Sequence, residues 1–226
     1  MIVYDEIGST LDVAHALAAD GAPSGTLIIA DAQTAGRGRM GRAWTSERGA
    51  GIWLTIVARP SDAEALDVLS LRVGIELAPA LDAFAHDTVR LKWPNDLYVG
   101  DRKLGGILVE ARWRDAVPEW VAIGVGINVR PPASEMRAAG LRSGVDRLAV
   151  LDAIVPKVVT ATTRTAMLSD AEIRTFAARD VAIGRACTEP AVGVVQGIDA
   201  RGSLLIEVAS RTVAVRTGSL VIKEER

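Results

Sequence analysis

From residue 119 to residue 129 the chain alternates with a period of two. Val121, Ile123, Val125, Ile127 and Val129 fall on one side, and Ala122, Gly124, Gly126 and Asn128 on the other. Successive side chains of a strand point to opposite faces, so this is a strand with one β-branched face and one nearly bare face. Glycine inside a strand weakens it, and often marks where a ligand or another backbone comes close. Such a strand belongs in a sheet whose apolar side is buried. Its bare side admits two readings of equal weight, tight packing against a helix or the approach of a ligand.

Other segments supply the partners of that strand. Residues 26–32 (TLIIADA) and 51–57 (GIWLTIV) read as buried strands, and 89–93 and 103–111 as two more. Ser9-Thr10 can cap a helix that carries Leu11, Ala14 and Ala18 on one face. Leu66, Leu69, Val73, Leu77, Leu81 and Phe84 form a helical stripe, with Pro79 inside it predicting a kink or break. Residues 147–180 read as helical, with Pro156 near the start and a second start at Ser169-Asp170. From about residue 182 short apolar runs alternate with turn residues such as Asp199 to Gly202, which predicts a small all-β module.

Composition narrows the function classes. A chain of 226 residues, 49% apolar and 24% charged, can build one large domain with a small appendage. A net charge of −2 speaks against a protein that coats nucleic acid. One cysteine, Cys187, excludes an intramolecular disulfide, and two histidines, His15 and His86, are too few for a zinc site of several ligands. None of the three is assigned any chemistry. The start of the chain has no basic-then-apolar signal, and no run reaches the roughly 18 to 20 apolar residues of a membrane helix. The expectation is a soluble cytoplasmic protein.

Two segments carry the chemistry. In Gly36-Arg-Gly-Arg-Met-Gly-Arg-Ala-Trp44 three arginines are threaded through glycines, and Arg48 follows. Glycines let the backbone approach a ligand, and arginines present fixed forks to carboxylate or phosphate. Trp44 adds a flat surface for a ring. The spacing fits neither a phosphate-binding P-loop nor a dinucleotide fingerprint, so alone it specifies only an anion, and single-stranded nucleic acid is a rival ligand. The second segment runs Lys92-Trp-Pro-Asn-Asp96, through a hairpin turn at Gly100-Asp101, to Lys103-Leu-Gly-Gly106. Pro94 ends a strand, Asn95 and Asp96 offer an amide and a carboxylate at its exit, and Lys103 has room beside Gly105 and Gly106.

In order and spacing, Ser9-Thr10, Gln33, the arginine loop, Lys92 to Asp96, Lys103 to Gly106 and Gly124-Val-Gly-Ile-Asn128 resemble the biotin protein ligases over nearly the whole chain. The resemblance implies an α+β fold: a mixed-sheet, class II synthetase-like catalytic domain over residues 1–180 and an SH3-like β-barrel over 181–226. It implies activation of biotin with Mg-ATP to biotinyl-5'-AMP, then transfer to one lysine of a biotin carboxyl carrier protein. On the same basis Ser9, Thr10 and Gln33 hold the ureido ring, and Gly36, Gly38, Gly105 and Gly106 line the biotin slot. Arg37 holds the biotin carboxylate against the α-phosphate, Arg39 neutralises phosphate, and Trp44 packs near the adenine. Lys92, Asn95, Asp96 and Asn128 serve the nucleotide, with Asp96 on Mg²⁺. Lys103 stabilises charge at the α-phosphorus. The family commonly has Asn where this chain has Leu11. The first motif starts by residue 6, so a DNA-binding domain and a DNA partner are not expected. Monomer and homodimer both stay open. The rivals are a lipoate or octanoate ligase of related fold and a nucleic-acid-binding module.

Overall fold

The computed structural model describes residues 1–60, 62–115 and 117–223. The chain runs β1 (Ile2–Ile7), α1 (Thr10–Ala19), β2 (Leu27–Gln33), β3 (Gly51–Ala58), α2 (Glu64–Asp67), α3 (Leu69–Leu81), β4 (Val89–Lys92), β5 (Asp96–Val99), β6 (Arg102–Arg114), β7 (Val117–Asn128), α4 (Arg147–Thr163) and α5 (Asp170–Arg179). It ends in β8 (Ala186–Glu189), β9 (Gly193–Ile198), β10 (Leu204–Val208), β11 (Arg211–Val215) and β12 (Val221–Ile222). A seven-stranded sheet has the order β1-β2-β3-β7-β6-β5-β4. Only β1 and β2 pair in parallel; the other pairs are antiparallel.

The two faces of β7 are treated differently, as the alternation requires. Val121, Ile123, Val125 and Ile127 join one large core with Leu77 and Leu81 of α3, Val150, Ile154 and Val158 of α4, and Phe176 of α5. On the other face α1 covers only one end, where Leu11, Ala14 and Ala18 meet Ile28, Val57 and Ala122. Ser9 caps α1 with a 3.3 Å bond from the Leu11 amide. The helix-packing reading of the bare face holds at Gly124, and at Gly126 the close neighbour is a side chain of the loop. A methyl on Gly124 would meet Leu11 of the helix at 3.3 Å, whereas one on Gly126 would lie 2.8 Å from Trp44 of the arginine loop.

The helical stripe breaks elsewhere than expected. Val68, at φ −108° and ψ 0°, separates α2 from α3. Pro79 sits in the last turn of α3, where its missing N–H removes one bond near an end that frays anyway. Pro156 lies mid-helix in α4 rather than near its start. Ser169 and Glu172 form a capping box at α5, and Glu172 also takes the buried Arg72 guanidinium at 2.7 Å.

The C-terminal module is a five-stranded sheet, β11-β10-β9-β8-β12. Among the described residues β11 and β12 are not paired with each other, so the expected barrel is an open sheet. It is fastened to the large sheet beneath the Lys92–Asp96 segment. The indole N–H of buried Trp93 donates to Gly202 O at 2.9 Å, and the Val181 amide to Leu91 O at 2.9 Å.

Candidate active site

The uncovered end of the bare face is the floor of a cavity of about 380 Å³. Gly106 and Gly126 lie opposite each other in the β6–β7 ladder, and Gly126 also pairs with Trp53 of β3. The arginine loop crosses above them. Its hydrogen bonds run from Trp44 N–H to Gly36 O and from Gly38 N–H to Arg42 O, around a 3₁₀ turn in which Met40 takes φ 58°. The Trp44 indole rests on Gly126 and meets Trp53 edge to face. A methyl on Gly36 would sit 2.5 Å from Trp44 O, so this position is closed to side chains by the loop's own backbone.

Lys103 reaches this face through an irregularity. Leu97 pairs with Gly105 but Tyr98 with Lys103, which leaves Leu104 extra in β6. Strict alternation would put Lys103 on the face opposite Gly106. The bulge instead sends Leu104 into the core, fully buried, and returns Lys103 to the slot. Its ammonium lies 2.7 Å from Asp96 Oδ1 and 5.1 Å from the Trp44 ring centre. Asp96 itself is on β5 rather than in a strand-exit loop; the turn is Trp93-Pro94-Asn95, pinned by Asn95 Nδ2 donating to Ile107 O at 2.7 Å.

Of the residues expected in the site, Ser9, Thr10, Gln33, Arg37, Gly38, Arg39, Trp44, Lys92, Asn95, Asp96, Lys103 and Gly106 line this one cavity. Gly36, Gly105 and Asn128 do not. Gly105 is turned the other way by the alternation of β6, toward Gly126 O and Ile127. Asn128 is buried at the end of β7. The polar end is already internally bonded. Gln33 Oε1 accepts from the Thr10 amide and hydroxyl at 2.8 and 3.1 Å, its Nε2 donates to Ser46 at 2.9 Å, and Thr55 donates to Thr10 at 2.8 Å. Arg48 is turned away from the cavity toward Glu6 and Asp31.

The charge of the cavity is cationic. Arg37, Arg39, Arg42, Lys92 and Lys103 line it against Asp96 and Glu135. Burial lowers the pKa of Lys92 against the opposing pull of Asp96, with Lys103 and Arg137 adding to the fall. Burial likewise lowers that of Arg39, and Arg42 adds to it. Tyr98, over whose ring Lys92 lies at 5.5 Å, is pushed up to about 12 by burial and then by Asp96. Crowded, partly desolvated cations of this kind are stabilised by an anion. Arg37 differs: its Nε and Nη2 hold Glu110 at 3.1 Å each, and Nη1 holds Asp12 at 2.7 Å.

Several lining residues have no motif. Trp53, buried with its indole N–H unpartnered among the described residues, was signalled only by sharing a strand face with Gly51. Ser219, Leu220 and Val221 close one wall from the C-terminal module, where Arg39 Nη1 donates to Gly218 O at 3.1 Å and Arg42 approaches Ser219 Oγ at 3.5 Å. Nothing in the sequence pairs these with the arginine loop. The cavity offers only the two carboxylates of Asp96 and Glu135, and the described residues hold no group of three or more His, Cys, Asp or Glu fit to bind a metal. The donor set therefore fits a magnesium ion only as one carried in on phosphates.

Residues 7–128 match the model of the biotin/lipoate A/B protein ligase family. The chain is 32% identical to a biotin–[acetyl-CoA-carboxylase] ligase of Mycobacterium tuberculosis over 97% of this chain and 87% of that protein. It is 40% identical to a bifunctional ligase/repressor BirA of Bacillus spizizenii over 60% of this chain, but spans only 42% of that protein's length. Its fold is that of the biotin protein ligase of Aquifex aeolicus solved with biotin and ATP, at a TM-score of 0.82, 24% identity, 99% of this chain and 98% of the other.

Proposed function

Because the chain belongs to the biotin/lipoate A/B protein ligase family, we propose that it joins biotin to ATP and passes the biotinyl group to a lysine of a biotin carboxyl carrier protein. The observation that carries this reading is the bare floor under a ring of cations. Gly106 leaves depth for a thin ligand, Gly126 lets the Trp44 indole lie against the floor, Trp44 and Trp53 give flat walls, and five cations face two carboxylates.

The chemistry brings two anions together. A biotin carboxylate oxygen attacks the α-phosphorus of ATP; that O–P bond forms as the bond to pyrophosphate breaks. Carboxylate and phosphate repel, so cations fixed between them lower the barrier, and holding the two in one slot supplies a further large part. Lys103, paired with Asp96 and beside Gly106, lies where the charge at phosphorus develops. Arg39, Arg42 and Lys92 neutralise the phosphates. Ser9, Thr10 and Gln33 are the polar end for the ureido ring, with Thr55 bonded behind Thr10, and Leu11 is apolar wall. Magnesium, arriving with the nucleotide, would neutralise polyphosphate charge, and Asp96 would give it one oxygen. In the second step the carrier lysine, as free amine, attacks the mixed anhydride carbonyl; the amide forms, AMP leaves with the bonding pair, and the amine's extra proton is lost to solvent. No protein nucleophile is needed. Residues 1–180 do this chemistry with 181–226 docked beside them, in the cytoplasm.

Pyrophosphate release from ATP tests the reading with biotin, lipoate, octanoate and no acid. Release dependent on biotin alone is expected. Equal or greater release with lipoate or octanoate moves the chain to the sister activity, and no release with any acid removes the ligase reading.

A further inference from the structure

Behind Arg37, outside the cavity, lies a chain of polar side chains drawn from three elements. Trp120 on β7 donates its indole N–H to His15 Nδ1 on α1 at 3.0 Å, and His15 Nε2 lies 2.9 Å from Glu110 Oε2 on β6. An indole nitrogen can only donate. His15 Nδ1 is therefore the acceptor, and Nε2 carries the proton that goes to Glu110. The same carboxylate grips Arg37 through both Nε and Nη2, the two-pronged form that fixes a guanidinium in orientation as well as position. Burial alone would raise the pKa of Glu110, but the bonds from Arg37 and His15 more than offset it and the net shift is downward. The third arm of Arg37 holds Asp12, a side chain 63% exposed and so weakly committed.

We propose that Glu110, oriented by His15, is a positioning residue for Arg37. Neither lines the cavity, whereas Arg37 does. Gripping two nitrogens from behind leaves Nη1 as the replaceable edge. An acid substrate's carboxylate can take the place of Asp12 there while Glu110 keeps the guanidinium, and the turn that carries it, in place. The choice of a carboxylate as the incoming group rests on the function proposed above; the grip itself does not.

The test uses His15→Phe, which keeps a ring and loses both bonds, His15→Gln, which can keep one donor and one acceptor, and Glu110→Gln. Two readouts are taken on the full chain. Hydrogen exchange at the amides of Gly38 and Trp44, both bonded within the loop, should quicken about tenfold in His15→Phe and Glu110→Gln, in line with the loss of a bond to a charged group, with amides of α3 unchanged. In biotin-dependent pyrophosphate release the same two variants should raise KM for biotin about tenfold while KM for ATP stays within about twofold, and His15→Gln should lie near the parent. Loop exchange unchanged in both variants, α3 amides quickening equally, or His15→Gln no better than His15→Phe would each overturn the proposal. If the parent releases no pyrophosphate with biotin, the ligase reading falls while loop exchange still decides the positioning role.

Discussion

The two faces of the large sheet follow opposite rules. One carries Val121, Ile123, Val125 and Ile127 and is filled by α3, α4 and α5; the other carries Gly106, Gly124 and Gly126 and is left partly open. On the first, side chains are there to be buried. On the second, side chains are missing so that something else can be. Leu104 and Lys103 are the sharpest instance, because adjacent residues of one strand serve the two rules.

That pair gives the largest expected contrast. Lys103→Ala should lower biotin-dependent pyrophosphate release about 10³-fold, the scale of losing one preorganised charge-stabilising group, and shift unfolding by less than about 0.5 kcal/mol, since its ion pair is partly exposed. Leu104→Ala should do the reverse, costing about 3 kcal/mol in denaturant unfolding with KM values unchanged below the transition. Comparable losses of both in either variant would break the comparison.

Two glycines sharpen it. A methyl on Gly105 would press 2.5 Å from Gly126 O, a backbone atom that cannot step aside, so Gly105→Ala should cost about 2 kcal/mol of stability. A methyl on Gly126 meets the Trp44 side chain instead, so Gly126→Ala should raise KM for ATP about tenfold, with only a small change in melting temperature.

The smallest effect lies on the filled face's border. Asp180 is buried, accepts the Ala182 amide at 2.8 Å, and has its second oxygen unpartnered among the described residues. Burial pushes its pKa up to about 6. An acid whose folded pKa is raised favours its protonated form in the native state, so its ionisation costs stability. That cost is absent below the unfolded value near 4 and complete above about 6. Asp180→Asn should therefore add about 1 kcal/mol at pH 7.5, a gain that fades toward pH 4 in a melting series.

The strand interior was legible because period-two alternation over eleven residues suits a pleated strand and fits neither a helix nor a loop. β7 lies where that alternation put it, and β3 and β6 lie on the other segments read as strands. The edge strand β1 and the four-residue β8 were missed, since both are short and carry few fully buried residues. The arginine loop and the Lys92–Asp96 segment were legible as chemistry because their residue types are costly without a ligand. The bulge at Leu104 was not, since a one-residue shift in pairing leaves no mark in composition. His15 read as an ordinary helix residue because its partners stand 95 and 105 positions away. The open C-terminal sheet differs from the expected barrel for a like reason: run lengths predict strands, but not whether the first and last of them meet.

The wall at Ser219 to Val221 has a consequence in time. A ribosome releases the arginine loop, the glycine floor and Lys103 long before it reaches the segment that closes the cavity. At roughly 5–20 residues per second, synthesis from Asn128, where the last of these motifs ends, to Val221 takes on the order of ten seconds. Through that interval the nascent chain carries every motif by which it would be recognised, yet a reactive anhydride formed there would stand open to water on one side. Order of synthesis thus puts the cations first and the shelter last.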